Sequence, residues 1–121
     1  MSPLVRTDAQ ARQAKREGSW GSLNWLANEE LTGSQKLTVG HVVIRKGMNN
    51  PRHSHPNCEE ILYLLSGKLE HEVAGQWVTL QPGDTLVILP GAPHHARSVG
   101  DVDAQMIVAY DTGKRAFQLE K

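Results

Sequence analysis

The stretches HSHPNCEE at 53–60 and LPGAPHH at 89–95 hold four of the six histidines in the chain. In a β-strand, residues two apart point to the same face, about 6.5–7 Å apart along the chain. His53 and His55 therefore project together, with Arg52 and Ser54 on the reverse. Two imidazoles leaning inward at that spacing can share one divalent ion at about 2.0–2.2 Å from each nitrogen. Pro56, Asn57 and Cys58 read as a turn, after which Glu59 or Glu60 opens the next strand and brings a carboxylate back beside the pair. Strand parity admits only one of the two. Alternation does not choose between them, because Ile61, Tyr63 and Leu65 share the face of Glu59 while Leu62 and Leu64 share that of Glu60. His94 and His95 pose the same choice at the start of another strand.

The elements that must carry these residues are short and β-type. From about Trp20 onward, runs at 20–26, 36–45, 51–55, 59–66, 68–74, 76–80, 85–89, 94–99 and 103–111 are broken by Gly, Pro and Asn. Within 67–73, Leu69, His71 and Val73 face one way and Lys68, Glu70 and Glu72 the other. The AGQ at 74–76 suits a tight hairpin, and QPGD at 81–84 offers Pro and Gly at the centre of a type II turn. Many short strands at this spacing predict an all-β sandwich or barrel. Residues 8–17 are good helix formers with Thr7 as N-cap and Gly18 as stop, but they lack a broad apolar face. The chain thus divides into a short helix or arm over 1–19 and a single barrel domain over 20–121.

A chain of 121 residues is one domain and needs neither disulfides nor a structural metal to fold. Thirteen basic and thirteen acidic residues balance, so no net field draws it to nucleic acid or an anionic membrane. The apolar runs ILYLL and TLVIL are too short to cross a bilayer. Cys58 is alone, which fits a reducing compartment, and the N-terminal stretch lacks the apolar segment of a secretion signal. A cytoplasmic location is the expectation.

Taken together, the two histidine stretches resemble the cupin superfamily. Its first motif runs Gly, five residues, His-x-His, four residues, Glu, six residues, Gly, and is met by Gly47, His53, His55, Glu60 and Gly67. Its second is met by Gly83, Gly91 and His94, with departures at Leu89, where proline is usual, and Ser98, where asparagine is usual. The resemblance covers roughly 36–111. It implies a double-stranded β-helix (a jelly-roll barrel) with His53, His55, Glu60 and His94 around one metal, and so resolves both parity choices. It also implies pairing through an edge strand near the N-terminus, for which Trp20–Leu26 is the candidate, and hence a homodimer.

Three imidazoles and one carboxylate would leave a divalent ion positively charged with open positions for a guest. Nitrogen-plus-oxygen ligation suits Mn, Fe, Co, Ni or Cu, with Zn as a tetrahedral occupant. The expected guest is a small molecule that chelates through carboxylate, enolate or hydroxyl groups. His71, on the apparently inward face, is a candidate acid–base residue, and Gln105 a candidate hydrogen-bond partner; His41 is a weaker pocket candidate. Tyr63 and Tyr110 read as packing residues with wet hydroxyls, and Trp20, Trp25 and Trp77 as core or interface. The leading function is metal-dependent lyase, isomerase or decarboxylase chemistry. The alternatives are an iron-dependent dioxygenase of quercetinase-like type, and a non-catalytic binding or regulatory protein. Specific activities do not transfer: sulfonium-propionate lyases carry tyrosine where Leu62 stands, and sugar-acid members carry glutamine where Glu60 stands and an arginine near the tail, a place that Lys114 and Arg115 fall close to without matching.

Overall fold

Buried side chains alternate with more exposed ones along the strands at 38–44, 60–66, 94–98 and 104–110, and the buried rows of two sheets face each other across one core. The computed structural model describes residues 3–120. Its strands are β1 (Arg16–Glu17), β2 (Gly21–Ala27), β3 (Thr38–Ile44), β4 (His53–Ser54), β5 (Glu60–Ser66), β6 (Leu69–Val73), β7 (Gln76–Leu80), β8 (Thr85–Ile88), β9 (His94–Ser98), β10 (Ala104–Tyr110) and β11 (Gln118–Leu119). One sheet has the order β1-β2-β3-β10-β5-β8 and the other β11-β4-β9-β6-β7, with antiparallel pairing throughout. From β3 onward the chain passes back and forth between the sheets, so its short crossings collect at the ends of the barrel. The histidine stretches sit at two such crossings.

The core joins Val42, Ile44, Leu62, Leu64, Met106 and Val108 of the first sheet to Leu69, Leu80 and Ala96 of the second. Leu64 and Leu69 are wholly covered, and each such side chain contributes about 1.5–3 kcal/mol by leaving water. On β5 the inward row is Glu60, Leu62 and Leu64, while Ile61, Tyr63 and Leu65 lie exposed. The sequence could not separate these rows because the outer face of this sheet is itself apolar.

Turn chemistry follows the residues. Val73 and Gln76 pair across a two-residue loop in which Ala74 and Gly75 have φ of 49° and 89°. Two positive values are the signature of a type I′ hairpin. At 81–84, Asp84 N–H donates to the Gln81 carbonyl at 3.0 Å, and Gly83 takes φ 95°, as a type II turn requires. Gly67 holds φ 82° against the start of β10, where a Cβ would meet Ala104 Cα at 2.7 Å.

The N-terminal segment departs from the expected reading in two ways. Thr7 does cap a helix, α1 (Asp8–Gln13), and forms a reciprocal capping box with Gln10. The helix ends four residues before the expected Glu17, because Arg16 and Glu17 instead pair with Leu23 and Ser22 as β1. A second short helix, α2 (Glu29–Thr32), was not foreseen; Asn28 caps it. The outer edge of β2, expected to pair with a second copy, is partly taken. β1 covers its first half, and Arg6 Nη1 donates to the carbonyls of Trp25 and Leu26 at 2.6 and 3.2 Å. No helix among the described residues is long and apolar enough to cross a membrane.

Candidate metal centre

Strand pairing alone brings the first and last histidines of the set together. His53 of β4 lies directly opposite His94 of β9, with ring centroids 4.3 Å apart. His55, just past β4, has its ring centroid 4.8 Å from that of His53 and 5.1 Å from that of His94. Their nitrogens fall within 4.8 Å of one another, and all three residues are buried. Glu60 opens β5 with Oε1 3.4 Å from His55 Nε2 and 3.3 Å from His94 Nε2. His95 points to the opposite face, toward Glu72 and Trp77.

Backbone carbonyls fix the tautomers. Nδ1 of His53, His55 and His94 lies 2.6, 2.9 and 2.9 Å from the carbonyl oxygens of Pro51, Ala116 and Ala92. A carbonyl can only accept, so each Nδ1 carries the proton and each Nε2 of a neutral ring presents a lone pair. Burial, reinforced by His94 and His55, lowers the His53 pKa to about 3, so this ring is neutral near pH 7. Burial opposes ionisation of Glu60, yet the contacts from His55 and His94 outweigh it and hold the carboxyl well below the usual carboxylate range.

Neutral imidazoles would set lone pairs against the carboxylate, and Glu60 Oε1 and His94 Nε2 are indeed buried without a hydrogen-bond partner. A cation shared among these atoms resolves the conflict, so the donor set fits a divalent metal bound by three imidazole nitrogens and one carboxylate oxygen.

The cluster forms part of the wall of a cavity of about 380 Å³ inside the barrel. Its other walls are largely hydrocarbon, including Leu23, Val42, Ile44, Leu62 and Met106. His71 lines it too, with Nδ1 2.9 Å from the His95 carbonyl. Its Nε2 therefore keeps a lone pair. Burial, with His94 nearby, lowers the His71 pKa to about 4.

Gln105 does not belong to the site. It is exposed and pairs with Val43 and Ser66, while Met106 takes the inward place. The buried positions Ala104, Met106, Val108 and Tyr110 set that parity. His41 likewise lies on the outer row of β3, between buried Gly40 and Val42. Tyr110, expected to keep a wet hydroxyl, is buried; burial, with Glu60 alongside, pushes its phenol well up from the ordinary value. Tyr63 is half exposed on the outer face. Trp25 is a core residue, Trp77 lies outside beneath Arg97, and Trp20 packs against the core while also lining the cavity.

The tail also supplies Phe117, which its sequence did not announce. Phe117 stacks on His53 at 4.8 Å, and Asn57 holds the segment by accepting from Ala116 N–H and donating to the Lys114 carbonyl at 2.8 and 3.0 Å. β11 then pairs with β4 through Gln118 with Ser54 and Leu119 with His53. No apolar periodicity marks this stretch.

The sequence profile of the cupin domain family matches residues 40–110. The chain is a cupin. The polyketide synthase CurC of Streptomyces cyaneus is 31% identical over 107 residues, covering 88% of this cupin and 68% of that protein. Germin-like protein 3-8 of Oryza sativa subsp. japonica is 32% identical over 81 residues, 63% of this cupin and 36% of the relative. Among solved structures, the oxalate decarboxylase of Lactobacillus farciminis superposes with a TM-score of 0.82 at 21% identity, over 87% of this cupin and 32% of that chain. At that identity the likeness establishes the jelly-roll fold. The cupin spans about a third of that decarboxylase and of the germin-like relative.

Proposed function

We propose that this cupin is a metal-dependent enzyme acting on a small oxygen-chelating metabolite by proton-transfer chemistry of the lyase, isomerase or decarboxylase kind. The observation that carries the reading is the buried meeting of Glu60 Oε1 with the Nε2 atoms of His55 and His94, in which Glu60 Oε1 and His94 Nε2 have no hydrogen-bond partner, at the wall of a cavity large enough for a metabolite. His53, His55, Glu60 and His94 are the proposed ligands. A divalent ion held there would supply Lewis acidity toward an oxygen of the guest.

The chain itself supplies a proton acceptor. His71 Nδ1–H is committed to the His95 carbonyl, so its neutral Nε2 is free to take a proton from a guest in the cavity. The hydrocarbon walls exclude bulk water and so protect an enolate-like species from indiscriminate protonation. Similarity to a polyketide synthase, and a fold shared with oxalate decarboxylases, support a guest rich in carbonyl or carboxylate oxygens.

The apolar walls also favour a second reading, an iron-dependent dioxygenase acting on an aromatic guest. Elemental analysis of protein purified without added metal comes first, and an empty site sinks both readings. A panel of keto acids, hydroxy acids and flavonols then separates them. Deuterium incorporation from D₂O without oxygen uptake supports proton transfer, whereas substrate-dependent oxygen consumption replaces it with the dioxygenase. Tight binding with neither signal leaves a non-catalytic cupin. A homodimer in the cytoplasm completes the proposal, with Cys58 buried and unpaired.

A further inference from the structure

A second cavity, of about 620 Å³, lies outside the barrel cavity, and the two share Arg16, Arg115 and Phe117 in their walls. These three side chains form the wall that the two have in common. The outer chamber is polar, with Asn28, Glu29, Glu30 and Lys114, whereas the inner one is mostly apolar apart from the histidine–glutamate cluster.

Whereas Arg97 lies against one aromatic ring, Arg115 lies against three. Its guanidinium carbon sits 4.5 Å from the Trp25 ring centre and 5.3 Å from those of Tyr110 and Phe117. Its Nη1 is 3.3 Å from both ring nitrogens of His55. A point equidistant from the two in the ring plane would collide with Cε1, so Nη1 lies over the ring face, where no lone pair points. His55 Nδ1–H is in any case given to Ala116. Among the described residues no carboxylate lies within ion-pair distance of Arg115 or Arg16, as is also true of Arg6 and Arg97, whereas Arg12, Arg45 and Arg52 each have one. Aromatic rings thus hold the Arg115 fork in place while its donors want a planar anion.

We propose that Arg16 and Arg115 form a carboxylate-binding throat, and that the guest is a 2-hydroxy or 2-oxo acid with a bulky hydrocarbon body. The carboxylate pairs with the throat, the adjacent oxygen reaches the metal cluster beside His55, and the body fills the apolar inner chamber. This inference rests on the metal-centre reading above. It excludes a two-carbon acid such as oxalate as the preferred guest, because oxalate would leave the hydrocarbon walls uncovered.

Calorimetric titration of the metal-loaded protein tests it. The probes are mandelate, phenyllactate and 2-hydroxyhexanoate, each against its neutral amide, with glycolate as the acid lacking a body. The expected result is at least one acid bound tenfold or more tightly than its own amide and than glycolate. Arg115→Gln then removes the acid's advantage while leaving amide affinity within twofold, and Arg115→Lys restores part of it. Equal weakening of acid and amide would mean that Arg115 only packs the tail, and overturns the proposal. So does failure of all three acids to outbind their amides in the wild type, a comparison that needs no variant. Metal content measured on each sample separates the two failures. A protein without metal refutes the proposed function, whereas a loaded protein indifferent to charge refutes the throat alone.

Discussion

Nδ1 of His55 lies 2.9 Å from the carbonyl oxygen of Ala116, so this imidazole takes its orientation from a segment 61 residues further along the chain. Asn57 clasps the same segment on both sides of Arg115. A hydrogen-bond partner behind a metal-binding histidine typically governs about 10–100-fold in metal affinity. Asn57→Ala should therefore weaken metal binding by about tenfold without touching a ligand. Chelator competition measures the affinity, and circular dichroism checks the fold. Unchanged affinity would show that the tail does not orient His55.

The proposed ligands separate cleanly from their neighbour. His53→Ala and His94→Ala should each lower metal occupancy by about tenfold or more, whereas His95→Ala, on the opposite face beside Glu72, should leave it intact. Glu60→Gln should weaken binding and also relieve the unpartnered charge in the metal-free protein. Elemental analysis of the four variants reads the pattern. Equal loss in all three histidine variants would place the ion elsewhere.

Acid should destabilise the metal-free protein before most carboxylates titrate. Burial keeps His53 and His71 neutral down to about 3 and 4, while the unfolded chain protonates them near 6.5. The unfolded state therefore binds more protons as pH falls through that window, and stability drops with it. His71 alone is worth on the order of 3 kcal/mol across the range. Glu60, whose carboxyl is depressed in the folded protein, adds a loss of the same sign at lower pH. Thermal midpoints recorded from pH 7 to pH 4 should fall steadily. For His71→Gln the fall should be shallower, and a parallel curve would contradict the assignment.

Ala74 is the one described non-glycine residue with positive φ. A left-handed conformation costs an ordinary residue about 1–2 kcal/mol. Ala74→Gly should stabilise the β6–β7 hairpin by about 0.5–1 kcal/mol net of the added freedom of the unfolded chain. Denaturant unfolding with an unchanged slope is the check, and any loss of stability would mean that the methyl group packs usefully.

Self-association should use the outer face of the first sheet rather than the edge of β2. Across that face Val39, Ala109, Ile61 and Val87 fall in one row of register, beside Ile107 and Tyr63 in the next. Light scattering after size exclusion should give twice the chain mass of 13.4 kDa, and Tyr63→Glu should halve it. A wild-type mass of one chain removes the dimer altogether.

The strands were legible because alternation and turn residues act locally: the runs at 60–66, 76–80 and 94–98 depend on little beyond their own side chains. Which face turned inward was not. Ile61 and Leu62 are equally apolar, and only the resemblance distinguished Glu60 from Glu59. Gln105 was misplaced for a related reason, since the ladder shifts register between Gln105 and Met106 and polarity alone did not show which way each pointed. Arg115 and Phe117 reach the site through tertiary contacts with Asn57 and His53, which no short-range pattern encodes.

The guanidinium poised over the Trp25 indole gives the protein an optical readout of its own. A positive charge that close perturbs the emission of the ring, and any guest that draws the arginine aside will alter the perturbation. With Trp20 and Trp77 replaced by phenylalanine, the remaining fluorophore would report filling of the chamber in real time, before any product is identified.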